Sequence, residues 1–180
     1  ASVLDIDTVF NGNKDIIAFT ELKYFTGLAY LPEEAFLECT NLWKIIIPEN
    51  VTIIMNKAFK GCNSLVNINI SNKITTIGSE AFYGCSELRD ITLHESITNI
   101  GSMAFYGCSE LRDITLHESI TNIGGLAFYG CKGKLYINCP IPDYTSSPST
   151  SSSPYFGSYF SEIIIGDSVI KLNRKGYMTI

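Results

Sequence analysis

Three sets of side chains have the types that chemistry requires, and each recurs at one interval. Cys39, Cys62, Cys85, Cys108 and Cys131 stand 23 residues apart. Thiols so placed could pair as disulfides, ligate a soft metal or act as nucleophiles. His94 and His117 are also 23 apart, each followed by a glutamate (Glu95, Glu118), and together they offer imidazole and carboxylate donors to a metal ion. Glu87-Leu88-Arg89-Asp90 and Glu110-Leu111-Arg112-Asp113 set carboxylates beside a guanidinium, the raw material of acid–base catalysis.

The shared interval weakens all three chemistries. Five equivalent cysteines cannot all pair, and none falls in the short Cys-x-x-Cys arrangement of a structural zinc site. They read as buried free thiols filling a corner of the core, with Cys139 taking a core leucine or isoleucine position in its strand. Glu95 or Glu118 would supply a third metal ligand, but the histidine pair is a product of duplication. His-Glu is not followed by the second histidine of a metalloprotease motif, so a solvated pair of imidazoles is the favoured reading. The carboxylates lie on an evenly repeating strand face that offers no cleft to perturb them, so they read as a solvated charge ladder. No Ser-His-Asp signature, phosphate-cradling glycine loop or dinucleotide fingerprint occurs. The expectation is a non-enzyme with no catalytic residue, no metal and no cofactor.

What positions these groups is the repeat. Ala35-Phe36, Ala58-Phe59, Ala81-Phe82, Ala104-Phe105 and Ala127-Phe128 keep a 23-residue register, and Ala81–Gly101 equals Ala104–Gly124 letter for letter. Within one unit the alternation Asp90, Ile91, Thr92, Leu93, His94 predicts a half-buried strand. Ile97 and Ile100 add two apolar positions and Gly101 permits a turn. Ser102 can cap a single helical or 3-10 turn through Ala104 and Phe105 that ends at Gly107. One unit buries too few side chains to fold alone, so stacking is obligatory and yields a parallel sheet lining one face of an arc.

Length and composition agree with one domain: 46% hydrophobic residues in 180, and mean hydropathy of +0.16. Residues 1–20 read as an N-terminal capping segment and 21–142 as the repeats, with a one-residue slip at the leucine of Lys134-Leu135. Residues 143–154 (DYTSSPSTSSSP) read as a Ser/Thr/Pro-rich insertion loop. Residues 155–180 read as a degenerate last repeat or cap, with Ile163–Val169 resuming the strand phase and Leu172 at the second isoleucine position. The net charge of −5 has no run of like charges, which argues against nucleic acid or an anionic membrane as partner. No apolar stretch approaches the roughly 20 residues of a membrane span. Ala1–Asp7 has no basic segment leading into an apolar core, so the chain starts as a mature or trimmed protein would.

Ile77-Gly78-Ser79-Glu80-Ala81-Phe82-Tyr83-Gly84-Cys85, recurring in phase with Leu88, Ile91 and Leu93, resembles the unit of the BspA-like family of bacterial surface leucine-rich repeat proteins. The resemblance covers roughly residues 20–172. The fold expected is an α/β-type leucine-rich repeat solenoid: a right-handed superhelix with a parallel concave β-sheet and short helical or 3-10 turns on the convex side. The resemblance implies a secreted or outer-surface protein that binds host or matrix proteins or neighbouring cells, with no catalytic role known for the repeat. His94 and His117 depart from the proline that the family often carries there, as Pro48 and Pro140 do here.

On such a fold the ligand surface is the concave face. One expected row is Lys44, Asn67, Asp90, Asp113 and Tyr136; the next is Ile46, Asn69, Thr92, Thr115 and Asn138; the third runs through His94 and His117 between Pro48, Ser71 and Pro140. Trp43 is either an exposed aromatic anchor for a protein or glycan or a packing residue against the neighbouring repeat. The sequons Asn50-Val51-Thr52 and Asn69-Ile70-Ser71 would matter only in a eukaryotic secretory pathway. Two functions fit: a non-catalytic adhesion or recognition module, or a structural spacer whose binding lies in other domains.

Overall fold

The computed structural model describes residues 6, 9–139, 160–165 and 168–170. Its strands, in chain order, are β1 (Ala18–Phe19), β2 (Tyr30–Leu31), β3 (Lys44–Ile46), β4 (Ile53–Ile54), β5 (Asn67–Asn69) and β6 (Thr76–Ile77). They continue with β7 (Asn99–Ile100), β8 (Ile114–Leu116), β9 (Asn122–Ile123), β10 (Lys134–Ile137), β11 (Glu162–Ile165) and β12 (Ser168–Ile170).

Each turn of the solenoid contributes to two sheets. The first runs β1-β3-β5 in parallel, crosses a rung held by the single bridge Asn67↔Asp90, and resumes as β8-β10-β11. Alternation decides its faces: Ile45, Ile68, Ile114 and Leu135 point into the core while Asn67 and Asn69 stay exposed. The second sheet, β2-β4-β6-β7-β9, is parallel throughout and places Leu31, Ile54, Ile77, Ile100 and Ile123 in one buried row.

This second sheet corrects the expectation of one sheet backed by helical turns. Among the described residues the only helix is the 3-10 turn Glu21–Tyr24, and the Ala-Phe segments are tight non-helical turns. The cause is visible in the backbone. Glu34, Lys57, Glu80, Met103 and Leu126, each directly before the alanine, are left-handed with φ between 54° and 59°, which stops a helix from propagating. Alternate amides then leave the segment: Glu34, Phe36 and Glu38 donate to the carbonyls of Asn56, Ala58 and Lys60 in the next turn at 3.1, 2.8 and 2.7 Å. The amides between them close turns inside the segment, as Leu37 N–H to Glu34 O at 3.0 Å does.

The core between these walls is a column of phenylalanines. Phe36, Phe59, Phe82, Phe105 and Phe128 stack in parallel with centroids 5.2–5.3 Å apart, all fully buried. Phe10 extends the column upstream, stacked on Phe36 at 5.3 Å, although Val9–Ile17 fits the repeat pattern poorly. Phe160 meets Phe128 tilted by 57°, where the regular stack ends. Beside the column runs the thiol ladder, each Sγ–H donating to the carbonyl of the phenylalanine one turn upstream: Cys39 to Phe10, Cys62 to Phe36, Cys85 to Phe59, Cys108 to Phe82 and Cys131 to Phe105, at 2.8–3.3 Å. All six cysteines, Cys139 included, are free and buried.

Two departures lie at the C-terminal side. Leu135 pairs with Ile114 and Ile137 with Leu116, so the slip is two residues and not one. Six positions separate Cys108 from Ile114 but four separate Cys131 from Leu135. A one-residue shift would have turned Leu135 and Ile137 out to solvent, whereas a two-residue shift keeps them in the core. Downstream, β11 joins β10 in parallel with Tyr136 opposite Ile164, and β12 folds back antiparallel on β11 with Val169 opposite Ile164. The Ser/Thr/Pro segment 143–154, Pro140 and Leu172 lie outside the described residues.

Glycine does two different jobs here. Gly78 has no left-handed φ, but a Cβ there would meet the Met55 and Asn56 backbone at 2.6 Å; Gly101 and Gly124 likewise face the Gly78-Ser79 and Gly101-Ser102 backbones. Gly84 has φ of +74° and open space around it. Gly84→Ala is therefore expected to cost about 1 kcal/mol of backbone strain, and Gly101→Ala about 3 kcal/mol, because neither backbone can yield without moving a whole turn. Urea unfolding of the two variants side by side checks this; equal losses would refute the close approach.

The thiols generate a second prediction. Burial pushes Cys39 from an ordinary 9.0 up to about 11 and Cys131 to about 12, and it raises Cys62, Cys85 and Cys108 as well. Unfolded thiols ionise above about pH 8.5 while the folded ones stay neutral, so their contribution is complete below that pH and is lost as pH climbs towards the folded values. Denaturant midpoints are expected to fall from about pH 9 upward, and to fall less steeply in Cys85→Ala. In the native state, thiol reagents at pH 8 should react only as fast as the chain opens.

Candidate binding surface

The first sheet is the surface on which the variable side chains are displayed, since the inward-facing alternate positions must be hydrophobic to close the core and the outward-facing ones are free to differ. The structure brings Lys44 opposite Asn67, Ile46 opposite Asn69, and Asn67 opposite Asp90. Asn67, Asn69, Asp90, Thr92, Asp113 and Asn138 are exposed, while Lys44, Ile46, His94, Thr115, His117 and Tyr136 are half-buried. None of these side chains is withdrawn into the core.

Trp43 stands just before β3, tied by its N–H to Ile17 O at 2.8 Å and by its carbonyl to the Val66 and Asn67 amides. Its indole is 43% exposed, with the Lys44 ammonium 5.8 Å from the ring centroid. Part of the residue is thus accessible at the surface.

The two-residue slip rearranges the downstream end of the expected rows. Tyr136 faces Thr115, not Asp113, and so belongs to the row of Ile46, Asn69 and Thr92. The place beside Asp113 goes to Lys134, whose backbone N–H donates to Asp113 Oδ1 at 3.3 Å. Asn138 moves next to His117, with which it lines one depression. The third row is also shorter than expected, because Pro48 is buried and Ser71 is only 4% exposed, its hydroxyl donating to Glu49 O at 2.8 Å.

The chemistry that the sequence offered does not assemble here. Arg89 approaches Glu87 at 3.8 Å with both side chains about half exposed, a pair that water screens. Among the described residues no three His, Cys, Asp or Glu side chains come together as metal ligands. Of the sequons, the Asn50 amide is consumed by the carbonyls of Thr26 at 2.6 Å and Leu28 at 2.5 Å, whereas Asn69 is open.

Sequence reasoning missed two surfaces. Val9, Ile17, Tyr24, Tyr30, Ile53 and Met55 leave apolar area exposed near the N-terminal end, with Tyr30 opposite Ile53 on the second sheet. The signal was present as large side chains at positions where later copies have Thr76, Asn99 and Asn122. On the turn face, Tyr83, Tyr106 and Tyr129 stack at 4.8 and 4.9 Å, and the Lys60 ammonium sits 5.0 Å from the Tyr83 ring while pairing with Glu80.

With this geometry in place, relatives can be compared. The BspA type leucine-rich repeat region matches in six copies over residues 29–147. A leucine-rich repeat protein of T. pallidum aligns at 30% identity and a TM-score of 0.55, covering 58% of this chain and 50% of that one. A leucine-rich cell surface protein of Faecalibacterium prausnitzii aligns at 32% identity and 0.57, covering 65% and 31%. The pneumococcal vaccine antigen PcpA shares the fold at 19% identity and 0.58, covering 84% and 42%. No curated protein matches the chain. The chain thus spans half or less of the length of these structures, and on six consecutive matched repeats covering most of its length it belongs to the BspA-type leucine-rich repeat family.

Proposed function

We propose that this chain is a non-catalytic recognition module of a secreted or outer-surface protein, and that its first sheet, expected as the concave face, holds a protein or glycan ligand. The carrying observation is the sheet's own surface. Asn67, Asn69, Asp90, Thr92 and Asn138 project from rigid strands and are exposed, and aromatic rings stand towards both ends at Trp43 and Tyr136. Rigid display lowers the entropy cost of binding, and aromatic anchors flanking adaptable polar groups suit either class of ligand. Family membership supports the reading, since such repeat solenoids are typically interaction modules without catalysis. The surface location is supported by the similar F. prausnitzii protein, described as a cell surface protein. Among the described residues no helix is long and apolar enough to cross a membrane.

Affinity on this reading comes from many weak contacts spread along the strands, so it is best tested by removing several together. The triple variant Trp43→Ala, Asn69→Ala, Tyr136→Ala, screened beside the unaltered chain on matrix-protein and glycan arrays, is expected to lose at least about tenfold in affinity for any ligand found. A triple variant that binds like the unaltered chain moves the site off the first sheet. A chain that binds nothing leaves the repeats as a spacer.

A further inference from the structure

Where the first sheet ends, two depressions open side by side, of about 410 Å³ around His94 and about 480 Å³ beside His117. They are one feature made twice. Asn72, His94, Glu95, Ser96 and His117 line the first, and their counterparts one turn later, Glu95, His117, Glu118, Ser119 and Asn138, line the second. Asn138 takes the last place because of the two-residue slip, and Glu95 and His117 serve both depressions. The walls are set by the fold: His94 O accepts the Ile97 amide and His117 O the Ile120 amide, each at 3.0 Å. The Ser96 and Ser119 hydroxyls donate to Ile74 O and Ile97 O at 2.7 and 2.9 Å, which leaves their oxygens as acceptors.

The lining narrows the ligand. It contains no lysine or arginine, and the exposed carboxylates of Glu95 and Glu118 repel a phosphate, sulfate or carboxylate. It lacks the apolar slot in which a peptide's aromatic or aliphatic anchor would be desolvated, since Leu93, its one aliphatic member, is 3% exposed. What it offers is carboxylates that accept, imidazoles that donate or accept, and amide and hydroxyl groups, the complement of a surface of hydroxyls. The His-Glu-Ser set His94, Glu95 and Ser96 recurs one turn later as His117, Glu118 and Ser119, and a repeated set of polar groups suits a ligand whose own chemistry repeats. Each depression by itself, at about 410 and about 480 Å³, lies at the small end of the range of small-ligand sites. Tyr136, half-buried opposite Thr115 in the adjoining row, adds an aromatic face at the same end.

We infer that these paired depressions bind a neutral oligosaccharide of repeating unit, one sugar to each, a conclusion that rests on the recognition role argued above. The test is calorimetric titration of the whole chain with cellohexaose, xylohexaose, mannohexaose and maltohexaose, the matching monosaccharides, and an arginine-containing peptide. At least one hexaose is expected to bind, more than about tenfold tighter than its monosaccharide because two linked sites are filled at once. His117→Ala, which removes a wall common to both depressions, should weaken it at least about tenfold. Glu118→Gln and Asn138→Ala, exposed changes that leave the core untouched, should each weaken it severalfold, and Asn122→Ala on the second sheet should not.

No hexaose binding at about 10 mM overturns the inference. So does binding indifferent to His117→Ala, Glu118→Gln and Asn138→Ala, or binding of the peptide in place of the sugars. If the sugars fail while an array ligand still depends on Trp43 and Asn69, the recognition role stands and only this inference falls.

Discussion

The interaction on which everything else depends is the backbone hydrogen bond from one turn of the chain to the next. It recurs on all walls of the solenoid: in the first sheet, in the second sheet, and through alternate amides of the Ala-Phe turns. With three walls tied at the same rise, consecutive turns must superpose. Identical side chains then fall directly on one another, so Phe stacks on Phe and each Cys thiol reaches the carbonyl one turn upstream. The close passage of Gly78, Gly101 and Gly124 over the previous turn is the steric cost of that superposition.

The same constraint removes most of the apparent chemistry. A thiol that recurs in every copy is a core atom whose burial suppresses ionisation, and a carboxylate that recurs on an open strand is a solvated charge. Catalysis needs one asymmetric cluster, whereas stacking produces columns. Binding has no such requirement. A column of half-exposed groups is a serviceable surface for a long ligand, and duplication converts one depression beside His94 into two. Individuality enters where copies differ: the Trp43 end, the Asn67 and Asn69 rung, and the slipped rung at Tyr136.

The slip shows how strongly the core governs the surface. Losing two residues after Cys131 leaves Leu135 and Ile137 buried, and the surface residues follow wherever that pairing takes them. Tyr136 and Asn138 therefore acquire neighbours that constant spacing would not assign. Likewise Phe10 finds the head of the aromatic column across 26 positions, since stacking on Phe36 rewards an aromatic ring whatever the loop length before it.

The sequence by itself determined the repeat, its 23-residue period and the buried phenylalanine and cysteine columns, because periodic hydrophobicity encodes which side chains face inward, while the run at residues 77–85 carried the resemblance to the family. It also named Asn67, Asn69, Asp90, Thr92, Asp113 and Asn138, which the first sheet exposes, but it counted Pro48 and Ser71 with them, which are buried. What only the tertiary structure decided was how the rest of each turn is bonded. Ile97, Ile100 and Gly101 read equally well as helix-side or strand residues, since so short an apolar segment carries no period of its own. The partners of Ile100 lie 23 positions away on either side, and it is pairing between turns that makes Asn99–Ile100 part of a second sheet. The left-handed residues before each alanine are Glu, Lys, Met and Leu, types that announce no such backbone. The neighbours of Tyr136 and Asn138, and with them the wall that Asn138 gives the depression beside His117, were fixed by a register that only the packed core selects.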